Sequence, residues 1–475
     1  MTILPLDPAA HASPEALHEF LSECRGAAAQ SGRPILVSIT IQVGSLDPLA
    51  VLESIFEPDE RHFYVERPSL GWAIAGAESV MAFSASGPGR FAACQRFIDA
   101  TLADAVAVGE PDLPFGGPHF FAAFTFLDSV GEGEPFEAAS LFVPRWQVAC
   151  RDGRTTAVAN LVVEGDSEIE PIAAKVLRAH AKFRSFDFGS PEFQGSPAGP
   201  AAAVGDPGGR VRYVEAVGRA IDRISRGEFE KIVLARAKDV RAPSPLHPLR
   251  MLNGLRQRFP DCSAFSVANG RGQSFIGASP ERLLRVEEGA VLTEALAGSA
   301  GRGATAAEDA ALGARLLASE KDLREQRIVL DSIVRSLAPL GLELRFGTHP
   351  ILRRLSNVQH LLTDVEAPLP EGVTLLEILG RLHPTPAVGG APSAVAVPLI
   401  GALEGFARGL YGGALGWIDS KGAGEFIVGL RSALVDGACA RMYAGAGIVA
   451  GSSPQAEYDE TELKFSAMQD ALLDA

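Results

Sequence analysis

The chain has 475 residues, 47% of them hydrophobic and 21% charged, which is ordinary globular material long enough for one large core or two smaller ones. Acidic residues outnumber basic ones by 58 to 43, the formal net charge is -15, and no segment is rich in Lys and Arg. Because phosphate neutralisation needs clustered cations, the composition excludes nucleic acid as an expected partner.

The N-terminal residues 1–7 carry no basic cluster and no long apolar stretch. Neither export nor a membrane span is therefore expected, and the protein is predicted to be cytoplasmic. The five cysteines are scattered and never spaced as Cys-x-x-Cys. This pattern indicates neither a disulfide framework nor a zinc site, and it is typical of small buried side chains in a reducing compartment.

The N-terminal portion, residues 1–188, alternates strand-like and helix-like segments. The clearest strand-like runs are residues 35–41, 119–126 and 157–163. No cluster of convergent catalytic residue types is visible in this portion. Residues 189–209 are dense in Gly, Pro and Ala, and they are predicted to form a linker or a long surface loop.

A helix is predicted over residues 213–225, followed by a buried strand over residues 231–236. Lys231 stands at the head of this apolar strand, where burial lowers the pKa of a lysine toward that of a general base. The alternative is a lysine whose ammonium reaches solvent from the end of the strand.

Residues 275–281 indicate a strand, a tight turn and a carboxylate, and by itself Glu281 is equally compatible with a surface acid. A second helix is predicted over residues 319–337, with Ser319 and Asp322 forming its capping box. The capping role accounts for Asp322. It does not account for Glu325, which follows one turn later.

Near the C-terminus, the small residues 444–449 are predicted to form a flexible turn before a helix. That helix places Glu457, Glu460 and Lys464 on one face. Together with Glu325, these carboxylates make an all-oxygen Mg²⁺ site conceivable. The alternative is a solvated helix face with an ordinary Glu460–Lys464 pair.

Seven short motifs of the C-terminal half resemble those of the chorismate-utilising enzymes, the family of anthranilate synthase component I, aminodeoxychorismate synthase, isochorismate synthase and salicylate synthase. In chain order the motifs are KIVLAR (231–236), GASPE (277–281), LAGS (296–299), SEKD (319–322), HPTPA (383–387), RSA (431–433) and GAGIV (445–449). Each motif is short, but all seven occur in the same order as in the family, which makes coincidence implausible.

Within the family, two residues make the chain similar to the isochorismate synthases of salicylate and siderophore pathways. Lys231 stands where the water-using members carry their base, whereas ammonia-using members have a small residue there. Ala387 stands where anthranilate, aminodeoxychorismate and salicylate synthases usually have Thr. The resemblance therefore implies a Mg²⁺-dependent isomerase that converts chorismate to isochorismate for salicylate, siderophore or menaquinone synthesis.

The resemblance also implies the catalytic roles. Lys231 would activate a water molecule that attacks C2 of chorismate, and Glu281 would protonate the departing C4 hydroxyl. The implied Mg²⁺ ligands are Glu325 and Glu460. Glu457 and Asp322 would lie near the metal, directly or through water.

The residues implied to bind the substrate are Gly298, His360, Ala387, Tyr411, Arg431, Gly445 and Lys464. Arg431 is suited to a bidentate contact with a carboxylate, and Gly298 permits close approach of the backbone. A hydrogen-bonded structural histidine is the alternative for His360.

Two other functions are weighed against the isomerase. The first is a chorismate lyase, such as salicylate synthase, that releases pyruvate; Lys231 and Ala387 oppose it jointly. The second is a catalytically silent paralogue that only binds chorismate. Retention of Glu281 and Glu325 together with Lys231 and Glu460 opposes that reading.

The fold implied by the family is a single large α/β unit of the α+β type, like anthranilate synthase component I. It has two stacked, mostly antiparallel sheets flanked by helices, with the site in a cleft between them. Residues 1–188 would contribute to the same core as the catalytic region, residues 210–475. A monomer is expected from the family resemblance. No glutamine amidotransferase subunit is expected, because water is the nucleophile.

Overall fold

The computed structural model describes residues 1–4, 14–184, 202–206 and 209–473. The α-helices of these residues are α1 (Pro14–Ser31), α2 (Pro48–Ser54), α3 (Arg90–Ala103), α4 (Ile169–Arg184), α5 (Gly209–Ser225), α6 (Pro248–Arg258), α7 (Ala306–Ala318), α8 (Glu320–Leu337), α9 (Leu375–Leu382), α10 (Ser393–Glu404) and α11 (Pro454–Leu473). The strands are β1 (Thr2–Leu4), β2 (Ile35–Val43), β3 (Arg61–Arg67), β4 (Trp72–Ala85), β5 (Val106–Gly109), β6 (His119–Phe124), β7 (Ala139–Arg151), β8 (Arg154–Val163), β9 (Ala202–Gly205), β10 (Lys231–Arg241), β11 (Ser263–Asn269), β12 (Gln273–Ser279), β13 (Arg282–Glu287), β14 (Ala290–Gly301), β15 (Arg345–Phe346), β16 (Ile351–Arg354), β17 (Val358–Pro368), β18 (Gly390–Ala391), β19 (Ala414–Asp419), β20 (Gly424–Val428), β21 (Ser432–Asp436) and β22 (Cys439–Val449).

Strand β7 is shared by two sheets. One of its edges pairs with β4 along almost its whole length, while the other edge pairs with β6 near its start and with β8 near its end. One sheet continues from β4 through β3, β11, β12, β21 and β22 to β10. The other continues from β6 through β19, β20, β13 and β14 to β17. All of these pairings are antiparallel, which agrees with the expected fold of mostly antiparallel sheets.

Strands of the N-terminal portion lie inside both sheets, because β3 pairs with β11 and β6 pairs with β19. Within the predicted linker, β9 pairs with β10, and Gly209 begins α5. The rest of that segment, residues 189–201 and 207–208, lies outside the described residues, as do residues 5–7.

Several local predictions are confirmed. The helix predicted over residues 213–225 is α5, and the buried strand that begins at Lys231 is β10. Helix α8 begins after Ser319, whose Oγ accepts a hydrogen bond from the backbone N–H of Asp322 at 3.3 Å. This contact satisfies a backbone donor of the first turn, as a helix cap should.

The flexible turn predicted for residues 444–449 is wrong, because these residues belong to strand β22. They pair residue by residue with β10, from Ala235 opposite Gly445 to Lys231 opposite Val449. Neither Gly445 nor Gly447 has a positive φ. The small side chains therefore make room for groups that face the strand and do not bend the chain.

An aromatic core fills part of the space between the sheets. It includes Phe121 on β6, Phe265 on β11 and the stacked rings of Tyr411 and Tyr443, whose centroids are 5.2 Å apart. All five cysteines are free thiols, three of them buried. In the described part of the chain, no helix combines the length and the apolar character needed to cross a membrane.

Candidate active site

Ten of the thirteen predicted site residues line a single cavity. They come from both sheets and from the helices α8 and α11, and they are Glu281, Gly298, Glu325, His360, Ala387, Tyr411, Arg431, Gly445, Glu460 and Lys464. The cavity has an empty volume of about 790 Å³, which includes its open mouth. A cavity of this size and lining is suited to a small polar molecule.

Lys231 lies behind the cavity wall and is fully buried. Its Nζ is 2.9 Å from Oε1 of Glu325, which does line the cavity. A Cβ atom added to Gly447 would lie 2.2 Å from Glu325 Oε1 and 3.2 Å from Lys231 Cε. Only glycine leaves room for this ion pair, so Lys231 is separated from the cavity by one carboxylate.

Glu281 lies in the turn between β12 and β13 and is buried. Burial raises the pKa of its carboxyl to about 8; the nearby Glu294 adds to the rise, and Lys231, Arg353 and Lys464 oppose it. Glu281 is therefore a protonated acid at neutral pH.

Glu294 and Arg353 bracket the backbone around Glu281. Glu294 Oε1 accepts hydrogen bonds from the backbone N–H of Arg282 at 2.8 Å and from Nη1 of Arg353 at 2.6 Å. The same Arg353 nitrogen donates to the carbonyl of Pro280 at 3.3 Å. The Glu294 side chain is 1% exposed, and its Oε2 has no hydrogen-bond partner among the described residues.

Arg431 and His360 form a hydrogen-bonded chain with Ser299. Nη2 of Arg431 donates to Nε2 of His360 at 3.2 Å, so Nδ1 of His360 carries the proton and donates to Ser299 Oγ at 3.0 Å. Burial, with Arg431 and Lys464 nearby, holds the pKa of His360 well below its usual value. This neutral ring is hydrogen-bonded at both nitrogens and also lines the cavity.

Lys464 and Tyr411 both line the cavity next to Gly445. Nζ of Lys464 donates to the Gly445 carbonyl at 2.7 Å and lies 2.8 Å from Oε1 of Glu460. A Cβ atom at Gly445 would lie 2.9 Å from the Tyr411 hydroxyl. Arg431 adds a buried cation to the partly exposed Lys464, so these residues offer two cations and a hydroxyl to an anionic molecule.

The four carboxylates predicted around a metal occupy neighbouring positions on α8 and α11. Three of them are paired with lysines, in the pairs Lys231–Glu325, Lys464–Glu460 and Lys321–Glu457. Burial raises the pKa of the fourth, Asp322, and the charges of Glu325 and Glu460 raise it further. Asp322 and Glu457 do not line the cavity.

As the side chains stand, no three His, Cys, Asp or Glu residues of the described ranges lie close enough to hold a metal ion. The donors nevertheless fit a hard divalent cation, because they are carboxylate oxygens that repel one another. In this structure, the paired lysines neutralise the carboxylates, as a bound cation would do.

The sequence analysis did not single out the pair of Glu404 and Arg408. Both side chains are almost completely buried, and Arg408 donates to the backbone carbonyls of Val233 at 2.8 Å and Val388 at 2.7 Å. Arg408 thus ties the strand that carries Lys231 to the loop that carries Ala387. The spacing of four residues was the available signal, but it is also typical of surface pairs.

A family model described as "Chorismate binding enzyme" matches residues 19–473 of the chain. The salicylate biosynthesis isochorismate synthase of Pseudomonas aeruginosa is 35% identical over 99% of this chain and 96% of its own length. The isochorismate synthase MenF of Bacillus subtilis is 33% identical over 75% of each chain.

Solved structures show the same architecture. The menaquinone-specific isochorismate synthase MenF of Escherichia coli superposes with a TM-score of 0.77, at 26% identity, over 95% of this chain and 99% of its own. Anthranilate synthase component I of Streptococcus pneumoniae superposes with a TM-score of 0.68 over 84% of this chain and 92% of its own. At 22% identity, this second likeness shows the fold alone.

Proposed function

The chain belongs to the chorismate-binding enzymes, and from that membership we propose that it is an isochorismate synthase, an isomerase that converts chorismate to isochorismate. The observation that carries the proposal is the buried carboxyl of Glu281, whose pKa burial raises, in one cavity with the cations Arg431 and Lys464 and with Ala387. A dianionic substrate that must lose a hydroxyl group needs such an acid and such cations.

In the proposed reaction, a water molecule adds its oxygen to C2 while the C4 hydroxyl leaves and the ring double bonds shift. Lys231 takes the proton of the attacking water, and Glu281 gives its proton to the departing hydroxyl, which leaves as water. One hydroxyl is gained and one is lost, so the substrate and product are isomers. For Lys231 to act, its Nζ has to part from Glu325 Oε1, which lies 2.9 Å away.

Arg431, Lys464 and Tyr411 bind the carboxylates of the substrate in this proposal. The protein has a formal net charge of -15 and does not attract a dianion as a whole. Attraction therefore has to come from cations inside the cavity. Arg431 is buried, which strengthens its interaction with a bound carboxylate.

We further propose Mg²⁺ as the cofactor, held by Glu325 and Glu460, with Glu457 and Asp322 within reach directly or through water. When bound, Mg²⁺ supplies positive charge for the ring carboxylate of the substrate. The support is the set of four neighbouring carboxylates, three of which a lysine neutralises.

The pathway we propose is salicylate synthesis for a siderophore, because the relative from P. aeruginosa is similar over nearly the full length of both chains. Menaquinone synthesis is the alternative, since the MenF proteins also match. We also propose that the protein is a cytoplasmic monomer. It needs no glutamine amidotransferase partner, because water serves as the nucleophile.

The direct test incubates purified protein with chorismate and Mg²⁺, separates the products by chromatography and measures pyruvate with a coupled assay. The expected result is a mixture of chorismate and isochorismate with little pyruvate. Stoichiometric pyruvate would show a lyase instead. Unchanged chorismate would indicate the catalytically silent paralogue.

A further inference from the structure

We propose that Glu294 and Arg353 are positioning residues for Glu281, which fix the backbone on both sides of it and control the protonation of its carboxyl through their opposite charges. The kinetic part of this inference rests on the proposed function. The electrostatic part does not, because it concerns a carboxyl group of the free protein.

The backbone of Glu281 is held at every polar group around it. The carbonyl before it accepts from Arg353, and the N–H after it donates to Glu294. Its own N–H donates to Ser279 Oγ at 3.3 Å, and its carbonyl accepts from the N–H of Val428 at 3.2 Å. These hydrogen bonds restrain the turn, and so they fix the position of the Glu281 backbone from which the carboxyl reaches the cavity.

Charged groups surround Glu281 from several elements. Those that act on its carboxyl are Glu294 on β14, Arg353 on β16, Lys231 on β10 and Lys464 on α11. The other titratable or charged residues that line the cavity are Glu325, His360, Arg408, Tyr411, Arg431, Tyr443 and Glu460. Of these groups, Glu294 and Arg353 are the two that also hold the turn.

Glu294 is placed to oppose ionisation of Glu281. Its side chain is buried, so water screens its charge weakly. One oxygen is used by Arg282 and Arg353, and Oε2 has no hydrogen-bond partner among the described residues. Arg353 carries the opposite charge and favours ionisation. Removal of the Glu294 charge should therefore lower the pKa of Glu281, and removal of the Arg353 charge should raise it.

The test uses variants that separate charge from position. Glu294→Gln keeps the size and an acceptor oxygen but loses the charge, so the alkaline limb of kcat/KM against pH should move down by roughly one unit. Arg353→Met loses the cation, so the limb should move up. Glu294→Asp keeps the charge but shortens the side chain that holds the turn. The pH of the alkaline limb should therefore not change, while kcat should fall by roughly 10²-fold.

A matched control is Arg354→Met, on the adjacent position of β16. The Arg354 side chain is 53% exposed and approaches Asp309, away from the cavity. The pH profile of this variant should match that of the wild type. A merely structural role of Glu294 would change kcat or stability in all variants without moving the limb in opposite directions.

A second readout needs no turnover. Infrared difference spectra recorded across a pH titration follow the protonated carboxyl band of Glu281, which is assigned by its loss in Glu281→Gln. Its midpoint should fall in Glu294→Gln and rise in Arg353→Met. Midpoints that match the wild type in both folded variants would overturn the inference. Shifted midpoints in a protein that does not convert chorismate would support it and refute the proposed function alone.

Discussion

Lys231 Nζ and Glu325 Oε1 lie 2.9 Å apart, and this ion pair joins the proposed base to a proposed metal ligand. While the pair is intact, the lysine has no direct contact with the cavity and the carboxylate is occupied. The two proposed roles therefore become available together, when the pair separates.

Replacement of Lys231 by Met should lower kcat by about 10²- to 10⁴-fold, because a positioned base is lost. Chorismate binding, measured by calorimetry, should persist because the proposed substrate contacts lie elsewhere. The control is Lys238→Met, a lysine of the same strand whose Nζ is 2.7 Å from Glu462. Near-native turnover in Lys231→Met would refute the assignment of the base.

Gly447→Ala should disrupt the ion pair by steric conflict, since the new Cβ would lie 2.2 Å from Glu325 Oε1. A displacement of about 1 Å in a catalytic group can cost about 10² in rate, and a loss of that order in kcat/KM is expected. Gly218→Ala is the control, because nothing lies within 4 Å of its Cβ. Equal kinetics for the two variants would contradict the prediction.

Glu325→Gln and Glu460→Gln should each weaken Mg²⁺ binding by at least about tenfold, because each removes an anionic oxygen from the proposed site. Titration calorimetry measures the affinity, and excess Mg²⁺ should partly restore activity. Glu462→Gln is the control on the same helix, since Glu462 pairs with Arg236 and Lys238. Unchanged affinity in the first two variants would remove them from the metal site.

Activity should fall as the pH rises through about 8, because burial raises the pKa of Glu281 to about 8. A general acid works only in its protonated form, which predominates below that pKa. The decline should appear in kcat/KM measured from about pH 6 to about pH 9.5. Glu281→Gln, which has no proton to give, should be inactive across the whole range.

Ala387→Thr should depress isochorismate formation, because a hydroxyl would enter the cavity wall where the proposed isomerase has a methyl group. Product chromatography and a pyruvate assay measure the outcome. Ala307→Thr, an exposed position on α7, serves as the control. Unchanged product formation in Ala387→Thr would show that this position does not distinguish isomerase from lyase.

Local signals predicted local structure well. The cap at Ser319 depends on groups three residues apart, and the burial of β10 follows from its apolar side chains. The order of the motifs predicted the family and its fold, which the comparisons confirm. Ten of the predicted site residues line one cavity, while their roles stay predictions.

Nonlocal relationships were harder to predict. Residues 444–449 are rich in Gly and Ala, which favours a turn when the pairing partner, some 200 residues away, is unknown. Glu294 lies in an apolar strand, and a charge there indicates burial but does not name Arg353 or Glu281 as its neighbours. The lysine partners of the carboxylates likewise depend on how α8 and α11 meet.

The pairing of early strands with late strands in both sheets has a consequence for synthesis on the ribosome. Strands β3 and β6 emerge early, yet their partners β11 and β19 are translated about 200 and about 290 residues later. Until then, both strands expose unpaired edges that can recruit another chain. The nascent N-terminal portion should therefore depend on chaperones. A long pause in translation before β19 should increase aggregation of the nascent chain and leave the finished enzyme unchanged.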